Sequence, residues 1–295
     1  MRSITSTRLA LLSPALAVYL LLALLPVANL IAMSLHVIKY DQGIAHWTFN
    51  GLAHYAAMPA DPLLRAGALN TLLFAVLSVA AEMALGLMLA LLVSRARRGR
   101  VVYRTIFLLP VLIPGIVIGA IWKLMYNPDF GIINQLLSLI GLNGHDWLGD
   151  GHLALLSVVV VDIWHWTPFV FLLLLAAIES LPGDVHEAAT IDGATRWQEF
   201  RFVTFPMLLP AFLITLVFRL IVSFKVFDEV YLLTGGGPGT ATEVVSFTIY
   251  RRFFTEDRMG YGSAISVTVL FLLTLVIVMG LPALRGRSAS GGSDR

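Results

Sequence analysis

Six long runs of apolar residues dominate this chain and restrict what it can fold into. A helix needs about 20 consecutive apolar residues to cross the hydrocarbon core of a bilayer. Of the 295 residues, 58% are hydrophobic and only 13% are charged, a balance outside that of soluble domains. The sequence therefore predicts an all-α integral membrane protein with six transmembrane helices, near residues 9–35, 68–94, 103–126, 153–178, 206–230 and 261–284.

The first apolar run has two interpretations. It follows Arg2 and Arg8, and Ala15-Leu16-Ala17 has the small-x-small form of a signal-peptide cleavage site. The apolar stretch continues far beyond that site. This length favours an uncleaved first helix over a cleaved signal peptide.

The basic residues between the runs predict the orientation of the chain, because Lys and Arg accumulate on the cytoplasmic side of a membrane. With the N-terminus inside, 12 basic residues are cytoplasmic and 5 are external. The outer loops are then 36–67, 127–152 and 231–260. Residues 288–295 are polar and rich in Gly and Ser, which predicts a disordered cytoplasmic tail.

The longest internal loop, residues 179–205, has helix signals of its own. The sequence LPGD at 181–184 breaks the preceding helix and offers Asp184 as an N-cap for VHEAATIDGA. Gly193 is expected to end this short helix, and TRWQEFRFV to begin another before Pro206. The loop is therefore predicted to be a helix-turn-helix at the membrane surface. It is either an amphipathic connector or a contact surface for another protein.

The sequence of this loop resembles the EAA loop of ABC importer permeases. Its matching positions are Glu187-Ala188-Ala189, then Asp192-Gly193-Ala194, and then Phe200, Val203, Pro206 and Pro210. Other segments resemble the carbohydrate-importer branch of that family: NTLLFAV at 70–76, YRTIFLLP at 103–110, FGIINQLL at 130–137 and FDEVYLLTGGGPGTATEVVSFTIYRRFF at 227–254. The resemblance therefore covers nearly the whole chain.

The resemblance implies a type I ABC importer permease fold over residues 1–287, in the bacterial inner membrane, with both termini cytoplasmic. In that family the loop is a coupling helix that sits in a groove of a cytoplasmic ATPase and carries its motion into the spans. The residues implied in this contact are Glu187, Ala188, Ala189, Asp192, Gly193 and Ala194.

The same resemblance implies a set of partners. They are a second permease chain, expected to be related but different, two ATPase subunits, an extracytoplasmic solute-binding protein, and a sugar as substrate. The chain lies in a lipid bilayer, and no nucleic-acid partner is expected.

Ionisable residues within the spans are candidates for the solute path, because charge is costly in a bilayer. Asp162, Trp166 and Phe169 fall on one face of the fourth span. A carboxylate there accepts hydrogen bonds from hydroxyl groups, and aromatic rings cover the C–H face of a sugar. Arg219 in the fifth span neutralises Asp162, lines the path with it, or does both.

Lys225 and Asp228 are further candidates for contact with the solute. The simpler interpretation is a local salt bridge of Lys225 with Asp228 or Glu229, which follow at i+3 and i+4. Glu82 is another carboxylate within a span, and nothing in the sequence suggests its partner.

An ATP-binding loop of the P-loop type needs Gly-Lys followed by Ser or Thr, and the chain contains no Gly-Lys pair. The chain is therefore not expected to be an enzyme or to hold a cofactor or metal ion. ATP and Mg²⁺ are expected on the partner ATPase. The absence of cysteine excludes disulfides and thiolate metal sites.

The sugar importer has three alternatives. The first is an importer permease for a polyol or a glycerol-phosphate-type solute. The second is a secondary transporter, which needs a coupling-ion site and commonly has broken helices and inverted repeats. The third is a membrane enzyme, which needs a convergent catalytic set. The sequence contains no repeat, no convincing ion cluster and no such set, which favours the importer.

Overall fold

The computed structural model describes residues 2–96 and 99–285, so the predicted tail at 288–295 lies outside the described residues. Helices make up most of the described chain, as expected for an α-helical membrane protein. In chain order the elements are α1 (Arg2–Ser34), β1 (His36–Asp41), β2 (Ile44–Phe49), α2 (Ala53–Ala57), α3 (Pro62–Ser94), α4 (Arg100–Leu108), α5 (Gly115–Met125), α6 (Ile132–Leu139), α7 (Ala154–Glu179), α8 (Gly183–Ile191), α9 (Arg196–Glu199), α10 (Phe205–Ser223), α11 (Asp228–Leu233), α12 (Val245–Tyr250) and α13 (Met259–Arg285).

Five helical segments of the described chain are long and apolar enough to cross a membrane, and a bent helix pair makes a sixth when counted as one span. In this sense the prediction of six spanning segments is confirmed. The segments are Leu11–Ser34, Pro62–Ser94, Thr105–Leu112 with Gly115–Met125, Ala154–Glu179, Arg196–Leu233 and Met259–Val278.

The third segment is broken, so the predicted continuous helix over 103–126 is wrong. α4 is followed by a 3-10 turn at Pro110–Leu112, and α5 begins at Gly115 after a bend of 97°. Pro114 has no N–H to donate, and it disfavours helical backbone at the residue before it. Accordingly, Ile113 is extended, with φ −87° and ψ 129°. The prolines divide one apolar run into two helices.

The fifth apolar run, predicted as one span over 206–230, is also interrupted. Irregular backbone at residues 224–227 separates α10 from α11. The Ser246 hydroxyl donates a hydrogen bond to the Val226 carbonyl, so the break does not leave this group unpaired. The first turn of α11 contains two carboxylates, which interact favourably with the positive end of a helix dipole.

The chain divides into two compact units. Unit 1 contains the described residues of 1–62 and 248–274, and unit 2 contains 63–247 with the described residues of 275–295. The sequence predicts a single six-span domain over 1–287, and that boundary stays a prediction.

Unit 1 contains the β1–β2 hairpin, whose antiparallel register pairs His36 with Phe49. Gln42 and Gly43 both have positive φ, 46° and 83°, as a two-residue hairpin turn of the common type requires. Sequence patterns did not predict this hairpin. All residues of β2 are exposed, so it lacks the apolar and polar alternation of a half-buried strand.

A buried ionic contact also stabilises unit 1. The Asp61 carboxylate oxygens each accept a hydrogen bond from Arg252 Nη2 at 2.7 Å, and one also accepts from the Tyr261 hydroxyl at 2.9 Å. Arg252 Nη1 donates to Glu256 at 2.5 Å. Burial disfavours the charge of Arg252, but its hydrogen bonds to Glu256 and Asp61 outweigh this effect and raise the pKa of the guanidinium.

In unit 2, helices α3, α7 and α10 pack around a hydrophobic core. α3 and α7 approach closely at Gly86, where a Cβ would lie 2.6 Å from Val170 Cγ1. The buried core residues come from α3 and α7, and apolar residues of α10 pack against them: Val79, Met83, Ala90, Val93, Val170, Phe171, Leu174 and Leu175, with Phe212, Leu216 and Leu220.

Two glycines at i and i+4 allow the short helices α5 and α11 of unit 2 to touch. A Cβ at Gly115 would lie 3.1 Å from Asp228 Oδ2, and a Cβ at Gly119 would lie 2.9 Å from Leu232 Cβ. Gly-x-x-x-Gly spacing is typical of close helix contacts in membranes. The interrupted third and fifth apolar runs therefore meet where Gly115 faces Asp228.

Candidate functional sites: the 179–205 loop and a buried ionic cluster

The 179–205 loop forms the helix-turn-helix that the sequence predicts. α8 ends where expected, because Gly193 has φ +72°. The Gly193 N–H donates to the Thr190 carbonyl at 3.1 Å, and the Ala194 N–H donates to the Ala189 carbonyl at 3.0 Å. These two bonds define a Schellman motif, which requires left-handed backbone at the position of the glycine.

The start of α8 differs from the prediction. α8 begins at Gly183 with Pro182 in the cap position, so the prediction of Asp184 as the N-cap is wrong. Pro182 has extended backbone, with φ −61° and ψ 131°, and the helix begins directly after it. Asp184 instead lies in the first turn, where its carboxylate still interacts favourably with the helix dipole.

The second helix of the loop is continuous with the fifth span. Thr195 and Gln198 form a capping box, in which the Gln198 N–H donates to Thr195 Oγ1 at 3.4 Å and the Thr195 N–H donates to Gln198 Oε1 at 2.8 Å. α9 then passes through a π-helical turn at Phe200–Thr204 directly into α10. A continuous helical connection of this kind can carry a displacement of the loop into α10.

The EAA-like motif places small and acidic residues at the surface of the loop. Four residues of the motif are exposed: Glu187, Ala188, Asp192 and Gly193. Ala194 is half-buried, and Ala189 is buried. Within the part of the chain that the structure describes, the side chains of Glu187 and Asp192 have no hydrogen-bond or ion-pair partner. Both carboxylates are therefore available to another protein.

Apolar surface surrounds these carboxylates. Ile191 is 85% exposed, Trp197 is 68% exposed and Phe202 is 71% exposed. An open cavity of about 500 Å³ lies against the motif, lined by Val185, Ala188, Ala189, Asp192, Gly193, Ala194, Gln198, Phe202 and Val203. Large exposed apolar side chains beside small residues are typical of a protein contact surface.

A polar contact connects α8 with α9 and with the end of α3. His186 Nδ1 lies 2.8 Å from Glu199 Oε1, and Arg95 Nη2 lies 3.9 Å from Glu199 Oε2. The Arg95 side chain is 48% exposed, so its interaction is weak. The shorter His186–Glu199 contact links the two helices of the loop.

Arg219 in α10 bridges two buried carboxylates from two other helices of unit 2. Its Nε and Nη2 donate to the Glu82 carboxylate at 2.5 and 2.7 Å, and Nη2 also donates to Asp162 Oδ2 at 3.0 Å. The three residues are 0 to 2% exposed. We call Glu82, Asp162 and Arg219 the ionic cluster. It contains the Asp162–Arg219 pair that the sequence offers as one alternative, and it supplies the missing partner of Glu82.

The aromatic residues of α7 pack against the ionic cluster. Arg219 Cζ lies 4.6 Å from the centroid of the Trp166 ring, within the range of a cation–π interaction. Phe169 contacts Trp166 with ring centroids 5.9 Å apart, and it stacks on Phe218 at 5.0 Å. Trp166 and Phe169 thus form the aromatic face that the spacing predicts, and protein neighbours cover part of each ring.

A cavity of about 290 Å³ adjoins the ionic cluster, and we call it the polar cavity. Four of the six predicted path residues line the polar cavity: Asp162, Trp166, Lys225 and Asp228. Arg219 and Phe169 do not line it. The other lining residues are Gly115, His165, Val222, Val226, Phe227 and Glu229.

Glu229 has a different partner from the one that the sequence suggests. Its Oε1 lies 3.2 Å from His165 Nδ1, and both side chains are buried. Among the described residues, Lys225 forms no salt bridge with Asp228 or Glu229, and Lys225 and Asp228 are exposed. Nothing in the sequence pattern indicates the His165–Glu229 pair, because its members are 64 positions apart.

The polar cavity lies at the breaks in both interrupted apolar runs. Gly115 at the start of α5 and Asp228 at the start of α11 both line it. Irregular backbone within a membrane occurs where protein buries it or where it lines a water-filled cavity. The two breaks in the apolar runs therefore contribute backbone and side chains to the lining of this cavity.

The chain is similar to known transport proteins. Residues 82–286 match the profile of the family described as binding-protein-dependent transport system inner membrane component. The trehalose/maltose transport system permease protein MalF of Thermococcus litoralis is 38% identical over 266 residues, which cover 90% of this chain and 89% of that protein.

The fold of this chain is also similar to those of solved ABC transporter structures. One is a bacterial ABC transporter involved in the import of the acidic polysaccharide alginate, with a TM-score of 0.82, 26% identity and coverage of 97% and 98% of the two chains. Another is a bacterial alginate ABC transporter in complex with a periplasmic protein bound to an alginate pentasaccharide, with a TM-score of 0.83, 25% identity and 98% coverage of both chains.

Proposed function

This chain belongs to the family of binding-protein-dependent transport system inner membrane components, and we propose that it moves a sugar across the membrane by alternating access. It is the permease subunit of an ABC importer, with the type I permease fold. The sugar arrives on an extracytoplasmic binding protein and leaves into the cytoplasm. The trehalose/maltose permease relative and the alginate importer structures support a carbohydrate substrate.

The observation that carries this proposal is the 179–205 loop. It presents unpartnered carboxylates and exposed apolar side chains, and its second helix continues into α10, which bears Arg219. A surface of this kind fits docking of a cytoplasmic ATPase. Movement of the docked loop displaces α10, and α10 in turn contacts α7 through the ionic cluster.

The remaining subunits follow from the same proposal. Two ATPase chains bind ATP and Mg²⁺ and hydrolyse ATP, because this chain has no P-loop. A second, related but different permease chain completes the path. The binding protein docks on loops 36–67, 127–152 and 231–260, and the termini are cytoplasmic, as the 12 internal and 5 external basic residues predict.

The solute path includes the polar cavity. Asp162, Trp166, Lys225 and Asp228 line it and offer the solute hydrogen-bonding groups and an aromatic surface. Arg219 and Phe169 act from behind this lining, by holding Asp162 and Trp166 in position. Binding in this cavity should be weak, because the solute must be released when the state changes.

The test compares two glycines in the same structural setting. Gly193 ends α8 and Gly141 ends α6, each in a Schellman motif with φ +72° and +77°, and a Cβ at either position meets nothing within 4 Å. Asn tolerates this backbone conformation. Gly193→Asn and Gly141→Asn should therefore both fold, and each adds a side chain whose Cβ has open space around it.

We expect an affinity-tagged wild-type chain in mild detergent to co-purify an ATPase, a second permease and, when loaded, the binding protein. Gly193→Asn should lose the ATPase and Gly141→Asn should retain it. The proposal fails if the wild-type complex contains no ATPase, or if Gly193→Asn retains it with normal ATP-driven uptake.

A further inference from the structure

Acidic side chains outnumber Lys and Arg around the polar cavity. Asp162, Asp228 and Glu229 line it, and Lys225 is the one Lys or Arg among its described lining residues. Behind Asp162, the ionic cluster adds Glu82 and Arg219, whose formal charges cancel. The cavity and the residues behind it thus hold four carboxylates against two cations. The carboxylates still outnumber the cations if His165 is protonated.

The fold holds these carboxylates in place. Glu229 is 6% exposed and contacts His165, and Asp162 is 2% exposed and accepts from Arg219. Asp228 and Glu229 begin α11, and the start of α5 lies directly against them at Gly115. The positive ends of these two helix dipoles amount to about half a charge each, which does not reverse the excess of four carboxylates over two cations.

Charge in such a cavity acts strongly on a solute. The interaction between charges increases as the local dielectric constant falls below that of water, and clefts lined by one sign of charge focus the field. Acidic linings accordingly select cations in membrane pores, and basic linings select anions. An anionic solute would meet repulsion in this cavity, whereas a neutral one would not.

The other lining groups suit a neutral sugar. Carboxylates accept hydrogen bonds from sugar hydroxyls, the Lys225 ammonium donates to them, and the Trp166 ring offers an apolar surface for C–H groups. Arg219 lies over the Trp166 ring without lining the cavity, so it offers an anion no direct contact from this face. The volume of about 290 Å³ is near the lower end of the range for ligand sites, about 300 to 1,000 Å³.

We propose that the polar cavity is a charge filter, which admits uncharged polyhydroxylated solutes and disfavours solutes that carry a carboxylate, phosphate or sulfonate group. The inference rests on the proposed function, because it assumes that the cavity lies on the solute path. It separates this chain from the importer of acidic alginate, although the folds are similar. It also disfavours a glycerol-phosphate-type solute.

The test measures the electrostatic potential at the lining of the polar cavity. It does not depend on which solutes the binding protein selects. Since the chain has no cysteine, Val222→Cys places a single thiol in this chain at the cavity lining. The assembled transporter is treated with methanethiosulfonate reagents that are neutral, cationic (trimethylammonium) or anionic (sulfonate). Mass spectrometry of this chain gives the rate at which each reagent modifies the introduced thiol. Each rate is divided by the rate of the same reagent with a small free thiol, which corrects for its intrinsic reactivity.

We expect the cationic reagent to react at least about tenfold faster than the anionic one at Val222→Cys. Adding Asp228→Asn with Glu229→Gln should reduce this ratio towards one, and adding Lys225→Gln should increase it. Leu139→Cys, which is 80% exposed and outside the cavity lining, should show little discrimination.

A ratio near one at Val222→Cys would overturn the charge filter, and so would a ratio unchanged by the carboxylate substitutions. ATP-driven uptake of a neutral sugar by the wild-type transporter tests the proposed function separately. If uptake occurs without charge discrimination, only the filter fails. If discrimination occurs but no sugar is taken up, the proposed function fails.

Discussion

Arg219 and Glu82 form a bidentate ion pair inside unit 2, with Nε 2.5 Å from Oε2 and Nη2 2.7 Å from Oε1. The two residues are 137 positions apart and both are fully buried. A second carboxylate, Asp162, shares the same guanidinium at 3.0 Å. This arrangement gives two buried carboxyl groups a shared hydrogen-bond donor, and it links α3, α7 and α10.

Removing the guanidinium should destabilise the protein strongly. Arg219→Met leaves Glu82 and Asp162 buried without a cation, which we expect to cost about 3 to 5 kcal/mol in the free energy of unfolding. Thermal unfolding in detergent measures the loss. The control is Arg65→Met, which removes an exposed arginine from α3 and should have little effect. Equal melting temperatures for Arg219→Met and wild type would contradict this account of the ionic cluster.

Contact between α5 and α11 should depend on a glycine. Gly119→Ala places a Cβ 2.9 Å from Leu232 Cβ, closer than real contacts allow, and neither atom can move without backbone movement. We expect a loss of about 1 to 3 kcal/mol in unfolding free energy and reduced uptake. Gly183→Ala is the matched control, because a Cβ there meets nothing within 4 Å. If both variants unfold at the wild-type temperature, the close packing of α5 on α11 is not required.

The ionic contact of unit 1 should depend more on Asp61 than on Glu256. Asp61→Asn removes the charge from a buried acceptor that binds Arg252 and Tyr261, with an expected cost of about 2 to 3 kcal/mol. Glu256→Gln weakens only a more exposed i,i+4 pair and should cost less than about 1 kcal/mol. Limited proteolysis of both variants compares the stability of this unit, and greater protection of Asp61→Asn than of Glu256→Gln would refute the ranking.

The sequence predicts the spanning segments and the ends of several helices, because these depend on local composition. Run length identifies the six spans, and Gly193 ends α8 as expected. Pro110 and Pro114 also mark a break that the length of the apolar run obscures. Their local effect on the backbone outweighs the continuous hydrophobicity of residues 103–126.

Contacts between distant residues could not be predicted in the same way. The sequence indicates Asp162 and Arg219 as candidates because charge within a span is rare. It indicates Glu82 without its partner, and it does not indicate the pair of His165 and Glu229. Which carboxylate approaches which cation depends on how helices pack, and hydrophobic periodicity does not contain that information.

Cross-linking from Ile191 shows whether the 179–205 loop docks an ATPase. Ile191 is 85% exposed, and Ile191→Cys provides the single thiol of a chain that has no cysteine. A thiol-linked photo-cross-linker is attached in native membranes, and adducts of this chain are identified by mass. Leu139→Cys, which also replaces an exposed aliphatic residue with cysteine, is the control on the predicted outer side.

We expect an adduct with an ATPase from Ile191→Cys and none from Leu139→Cys. Uptake by both variants establishes that each complex is intact. An active Ile191→Cys transporter without an ATPase adduct, or an ATPase adduct from Leu139→Cys, would contradict the proposed docking surface.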